Sequence, residues 1–333
     1  MATYKGIKGV KVQSKASDPT ASEAEGTVWY NTATTALKYS IASAGAWASG
    51  GNINTTRNFG GGLGIQTAGM FVGGSGGASS GNETETYDGT SWTTKNPINT
   101  TRNRMGVGTQ SPITASIIFG GSQPNSAPGY KTETEKYDGT SWTETNNLNT
   151  ARREFGGSAG LTDSAALGMS GNNGSYITNV ESWNGTSWTE VDDVNTARGV
   201  GGGGGTNTDA LLVGGLTPAK SALTESWNAT SWTEVADLNN ARGYFGSAVT
   251  SSTSGLVCGG DAGSVPQAKD DKTEVWNGTS WTELADLANQ REGCKACGTS
   301  SLALAFGGYS PGQVTVSEEW VDPVYTIKTV TVS

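Results

Sequence analysis

Six tryptophans, Trp47, Trp92, Trp142, Trp188, Trp232 and Trp281, recur at intervals of 44 to 50 residues, and an arginine follows each by ten positions: Arg57, Arg102, Arg152, Arg198, Arg242 and Arg291. A chain that repeats itself in this way is built from copies of one supersecondary unit. A period in the forties, marked by Trp and a glycine pair, predicts propeller blades.

The remainder of the repeat agrees. After each arginine comes a Gly-rich run, then an apolar run that closes on Gly-Gly, as in Met70-Phe71-Val72-Gly73-Gly74 and Ile117-Ile118-Phe119-Gly120-Gly121. The third copy is degenerate and reads Leu167-Gly168-Met169-Ser170-Gly171. A polar loop leads to a glutamate (Glu85, Glu135, Glu181, Glu225, Glu274, Glu318), with an aromatic two residues on (Tyr87, Tyr137, Trp183, Trp227, Trp276, Trp320). Asp88-Gly89, Asp138-Gly139, Asn184-Gly185, Asn228-Ala229 and Asn277-Gly278 then supply dipeptides that tolerate the positive φ of a tight hairpin. Each unit therefore reads as four short antiparallel strands. The expected fold is all-β, a six-bladed propeller over 51–322. A strand meander at 27–50 supplies the closing strand around Trp47, because the sixth repeat lacks its own Ser-Trp-Thr strand. The alternating residues of 323–333 predict one more strand, on a blade edge or on a neighbouring subunit of a homo-oligomer.

Spacing separates the rigid parts from the free ones. Glu to Trp is seven residues in all five copies that contain both, whereas the last Gly to Glu varies from 10 to 14. Length variation concentrates in the loop after Gly-Gly, which makes 75–84, 122–134 and 261–273 the expected recognition face. Across the six loops that follow the second strands, Tyr130, Tyr176 and Tyr309 are the aromatics that a ligand would meet. The repeated Trp residues read as packing between blades, and the glutamates as a structural bond between blades. The arginines would stack on Trp rings or bond loop carbonyls between blades, or else ring the channel with positive charge.

Composition removes several function classes. The formal charge is −9, and six of the eight arginines occupy the repeat position, so no basic face remains for nucleic acid. Histidine is absent, which excludes histidine-based triads and imidazole metal sites. Cys294 and Cys297 form a Cys-x-x-Cys, but residues three apart on a strand face opposite sides, so Cys258, Cys294 and Cys297 are expected as free core thiols, with no metal and no cofactor. The absence of a signal-like stretch or an apolar run of eighteen residues predicts a cytoplasmic product with no membrane insertion. Asn184-Gly185-Thr186, Asn228-Ala229-Thr230 and Asn277-Gly278-Thr279 are sequons whose Asn the hairpin turn already demands.

The repeat resembles the kelch unit, in which Gly-Gly ends the second strand and an aromatic-Asp-x-x-x-x-Trp element bridges the third and fourth. The Gly-rich first strand departs from that pattern and fits the crowded wall of a central channel. A second resemblance lies nearer the N-terminus. Gly26-Thr27-Val28-Trp29-Tyr30-Asn31, then Leu37-Lys38, then Trp47 is similar to a segment of fibre and appendage proteins of tailed bacteriophages. Gly-rich kelch-like arrays carrying Asn-Gly-Thr-Ser-Trp-Thr-Glu occur in phages of marine bacteria. The resemblance implies a structural protein of the virion, with residues 1–26 a basic arm that docks to other virion proteins and a propeller that binds host-surface glycan or protein without catalysis. Two rival expectations are a glycan-binding lectin and a carboxylate-dependent glycan-degrading enzyme, the latter using Asp261, Asp270 or Asp271.

Overall fold

The computed structural model describes residues 12–19, 27–42, 45–76, 81–123, 129–262, 269–322 and 325–330, all of them strand or connection. They divide into two compact units, one spanning Trp47–Val321 and the other formed by residues up to Ala46 and from Asp322 onward.

The larger unit holds six sheets, each with consecutive strands paired antiparallel. In the first, Gly61–Ile65, Ala68–Val72, Thr84–Tyr87 and Trp92–Lys95 run from the inside outward. In the sixth, Lys295–Gly298, Leu302–Phe306 and Ser317–Val321 come from the C-terminal end, and the outer place is taken by Ala46–Ser49. This unit is a six-bladed β-propeller, closed by the strand that carries Trp47.

What joins one blade to the next can be read residue by residue. The indole of each repeat Trp donates back to the preceding blade: Trp92 Nε1 to Ser317 Oγ (3.0 Å), Trp142 to Thr84 (3.1 Å), Trp188 to Thr134 (3.0 Å), Trp281 to Thr224 (3.3 Å) and Trp47 to Thr273 (2.9 Å). Val180 replaces the hydroxyl residue in blade three, so Trp232 turns to the carbonyl of Asp192 (3.1 Å). Each ring also lies 4.9 to 5.6 Å from the aromatic of its own third strand. Burying such a ring contributes about 2–3 kcal/mol.

The glycine pair is a second joint. Gly121 donates its N–H to the carbonyl of Arg152 in the next blade (2.9 Å), and Gly308 donates to Arg57 (3.1 Å), which closes blade six onto blade one. Both glycines of a pair have positive φ, and a Cβ on Gly120 would sit 2.8 Å from the Arg152 oxygen. A side chain is therefore excluded by conformation and by contact together. The degenerate copy survives because Ser170, at φ 56, places its hydroxyl on the Arg198 N–H (3.0 Å) and next to that residue's carbonyl.

The repeat arginines depart from expectation. No Trp ring receives them: Arg57 lies over Phe71 (4.3 Å) and Arg152 over Phe155 (5.3 Å). All six are wholly buried and pair with the glutamate of their own blade, for example Arg198 Nη2 to Glu225 Oε1 at 2.7 Å. The other glutamate oxygen holds the incoming linker. Glu225 Oε2 accepts the backbone N–H (2.7 Å) and side-chain amide (2.8 Å) of Asn195, seven residues after Trp188. Side chains thus tie each linker into its own blade, and it is the arginine main chain that bonds across blades.

The hairpins use the expected chemistry. Asn184 Oδ1 accepts the N–H groups of Thr186 (3.0 Å) and Ser187 (2.9 Å), so the sequon asparagines are turn residues by geometry. Ala229 occupies the slot filled by glycine elsewhere, at φ 74. Ala229→Gly is therefore expected to stabilise the protein by about 1 kcal/mol, seen as a higher urea midpoint with unchanged slope.

The three cysteines are free, buried thiols, and burial pushes each above the ordinary thiol range. Cys297 packs with Phe71, Leu304 and Phe306, and Cys258 with Leu256 and Trp320. No group of His, Cys, Asp and Glu among the described residues is spaced to hold a metal ion.

The smaller unit is one sheet in the order Gln13–Lys15, Val28–Asn31, Ala36–Ala42, Tyr325–Thr329. Two expectations change here. Residues 13–15 lie within the expected arm, yet they pair parallel with Trp29, Tyr30 and Asn31. The C-terminal strand does not join a blade edge; it pairs antiparallel with 38–42. Asp18 gathers the motif residues of this unit, accepting from Trp29 Nε1 (3.2 Å), Asn31 Nδ2 (2.6 Å) and Lys38 Nζ (2.6 Å). Those bonds, Lys38 first, hold its carboxyl below the usual range. The rest of the 1–26 arm lies outside the described residues.

Candidate functional site

Two positions beyond each repeat arginine stands a residue whose identity changes from blade to blade: Phe59, Arg104, Glu154, Val200, Tyr244 and Gly293. All six adopt positive φ, between 51 and 64°. Five carry side chains, and one of those is β-branched, so the conformation costs roughly 1 kcal/mol or more at each.

Hydrogen bonds hold it. Arg104 N–H donates to the Phe59 carbonyl (2.7 Å), Glu154 to Arg104 (2.9 Å), Val200 to Glu154 (3.0 Å), Tyr244 to Val200 (2.8 Å), Gly293 to Tyr244 (2.6 Å) and Phe59 to Gly293 (3.1 Å). The six peptides form a closed hoop that enters every blade once, immediately before its innermost strand. The hoop is the rim of the axial channel, and the glycines that follow it form the channel wall. There the strands crowd: a Cβ on Gly204 would lie 2.2 Å from the carbonyl of Val249 in the next blade.

Rim side chains form a continuous cluster. The rings of Phe59 and Tyr244 meet edge to face at 5.5 Å, and Gly293 between them leaves the space. The Arg104 guanidinium lies over Phe59 (4.9 Å) and donates to Glu154 Oε1 (2.6 Å). Burial, with the Glu154 carboxylate nearby, pushes the Tyr244 hydroxyl up to about 12, so it remains a neutral donor at physiological pH. Aromatic, cationic, anionic and aliphatic groups are thus presented side by side from a fixed backbone.

The variable loops leave from the same hoop. The residue before each rim position bridges to the residue that follows the glycine pair, as in Asn58 with Ser75, Asn103 with Ser122 and Glu292 with Tyr309. Of the loops expected to form the recognition face, 77–80, 124–128 and 263–268 lie outside the described residues. Tyr130, Tyr176 and Tyr309 are each partly buried. Arg153 covers Tyr130 at 5.3 Å and Lys269 covers Tyr309 at 4.6 Å, while Tyr176 lies close to Arg104, Arg153 and Glu154, with burial raising its hydroxyl. The rings of Tyr130 and Tyr309 are thus each covered by a cation on one face.

Asp261 and Asp270 of the fifth loop do not form a free pair either. Asp261 is bonded to Lys220 (2.7 Å), and Asp270 lies 3.3 Å from Arg242. Glu292, next to the rim residue Gly293, has a carboxyl raised by burial and by the charge of Asp261. The rim itself has no residue-type signature in the sequence. Its available signal is a position of divergent identity two residues after the end of the fixed Trp-to-Arg spacing.

No family model and no curated protein sequence matches the chain. The chain is similar in structure to YjhT, with a TM-score of 0.64 over 84% of this chain and 100% of that one, at 12% identity. That likeness supports the propeller fold and carries nothing about the site.

Proposed function

We propose that this chain is a non-catalytic recognition module that displays its propeller on a bacteriophage particle and engages a host-surface protein or glycan through the channel rim and the loops around it. The observation that carries the reading is the hoop. Six equivalent peptides are fixed by one another's hydrogen bonds, while their side chains differ at every blade. Divergent groups on a rigid backbone suit recognition, because little ordering entropy is lost on binding. The virion setting rests on the resemblance of the Trp29-to-Trp47 segment to phage appendage proteins, whose Trp29, Asn31 and Lys38 converge here on Asp18. A role without catalysis is supported by the missing histidine and by the pairing of Asp261, Asp270 and Glu154 with cations. The kelch likeness of the repeat is in keeping with partners met at this face.

The test is adsorption of labelled protein to bacterial isolates. Replacing Arg104 and Tyr244 together by alanine is expected to weaken adsorption at least tenfold on any isolate that takes up the wild type, with a melting temperature within a few degrees of it. Undiminished adsorption by the double variant would place recognition elsewhere.

A further inference from the structure

We infer that the axial channel is a binding site for one small monovalent anion, of the size of chloride or formate, held by the ammonium of Lys295. The inference is independent of the role proposed for the rim.

Lys295 begins the innermost strand of blade six and lines both cavities of the channel, of about 50 and 40 Å³. The residue as a whole is half-buried. An ammonium has three donors and no acceptor. Among the described residues, no carboxylate lies within ion-pair distance of Lys295. The carboxylate that shares its cavity, Glu154, is taken by Arg104. Enclosing a lone charge is costly unless something of opposite sign compensates it. Burial accordingly lowers the affinity of this amine for its proton.

A second group in the same cavity is also unmatched. Thr109 is 7% exposed and its Oγ1 has no hydrogen-bond partner. It lines the larger cavity together with Lys295. The lining of this cavity therefore holds one ammonium and no carboxylate, so an anion would find its cation here without competition from a protein group.

The channel is blind, which sets the route and the size. Beside Thr109, Gln110 spans the end remote from the rim. Its side-chain amide donates to the carbonyls of Val249 (3.0 Å) and Gly298 (3.2 Å), and its backbone N–H to Gly160 (2.8 Å). A ligand therefore enters past Phe59, Arg104 and Tyr244. A water needs about 10–15 Å³ of such volume, so each cavity admits only a few water-sized atoms. That admits a halide or formate and excludes a sugar or a phosphate ester. With a net charge of −9 on the molecule, an anion here depends on the local cation.

Crystals soaked in sodium bromide provide the direct test. The expected result is an anomalous peak in the channel next to Lys295, absent in Lys295→Met, together with a melting temperature that rises in sodium chloride relative to sodium gluconate at equal ionic strength. The variant, having lost an uncompensated charge, should fold and show no chloride-specific rise. If Lys295→Met does not fold, the wild-type soak decides alone. An empty channel in the wild type, a bromide peak that persists in the variant, or a chloride response of equal size in both proteins overturns the inference.

Discussion

Glu225→Ala is expected to cost about 3–5 kcal/mol of folding stability, the penalty for leaving one partner of a buried ion pair uncompensated. Arg198 is fully buried and its Nη2 lies 2.7 Å from Glu225 Oε1. Its remaining bond is from Nη1 to the Leu223 carbonyl (3.1 Å), which cannot balance a charge. The same substitution also orphans the Asn195 N–H, 2.7 Å from the second carboxylate oxygen. These two losses can be separated. Arg198→Met with Glu225→Leu removes the stranded charge but not the stranded N–H, so the double variant should recover part of the loss and stop short of wild type. Chemical denaturation of the three proteins measures this; a loss below 1 kcal/mol for Glu225→Ala would show that water or Asp237 takes over the role of the glutamate.

The second large effect concerns closure. A fragment of residues 51–333 lacks the outer strand of blade six. It loses the Trp47 ring, 5.6 Å from Trp320, the 2.9 Å bond from Trp47 to Thr273, and the bond from Gly50 N–H to Ser317 (2.9 Å). The ring alone contributes about 2–3 kcal/mol, and the bared edge at Ser317–Val321 offers unpaired peptide groups to other chains. The expected outcome is aggregation, or melting at a clearly lower temperature. A fragment of 46–321 keeps every propeller strand and should melt cooperatively near the temperature of that unit in the whole protein. A fully stable 51–333 fragment would mean that the ring does not depend on the Trp47 strand.

Much of this architecture was legible because two spacings never change. Trp to Arg is fixed at ten since the intervening linker must leave one blade, seat its Asn on the next blade's glutamate and bury the arginine beside it. Glu to Trp is fixed at seven by the hairpin in which Trp227 pairs with Trp232 and Glu225 with Glu234. What the spacing does not reveal is which atoms act. The arginines were expected to reach between blades with their side chains, whereas the contact across blades runs through their carbonyls. A side-chain identity repeats equally well for either reason.

Other features were hidden for different causes. The C-terminal strand alternates as any half-buried strand does, and alternation names no partner; its pairing with 38–42 follows from the path of the chain. Aromatics in variable loops suggest platforms, yet Tyr130 and Tyr309 lie under Arg153 and Lys269, which the sequence places far away. The rim is hidden in the sequence because glycine usually announces positive φ, and only Gly293 does so here. At Val200 and Phe59 the surrounding hoop imposes a conformation that the residue itself disfavours.

Native-state amide hydrogen exchange reads the hoop of rim peptides directly, without any ligand. If the six rim peptides are locked to one another, the amides of Phe59, Arg104, Glu154, Val200, Tyr244 and Gly293 should exchange only through unfolding of the whole propeller. Their protection should then match that of core amides such as Leu212 and Val257. Exchange of these six at the rate of loop amides, with the core still protected, would contradict a rigid rim and with it the argument that the rim is built for recognition.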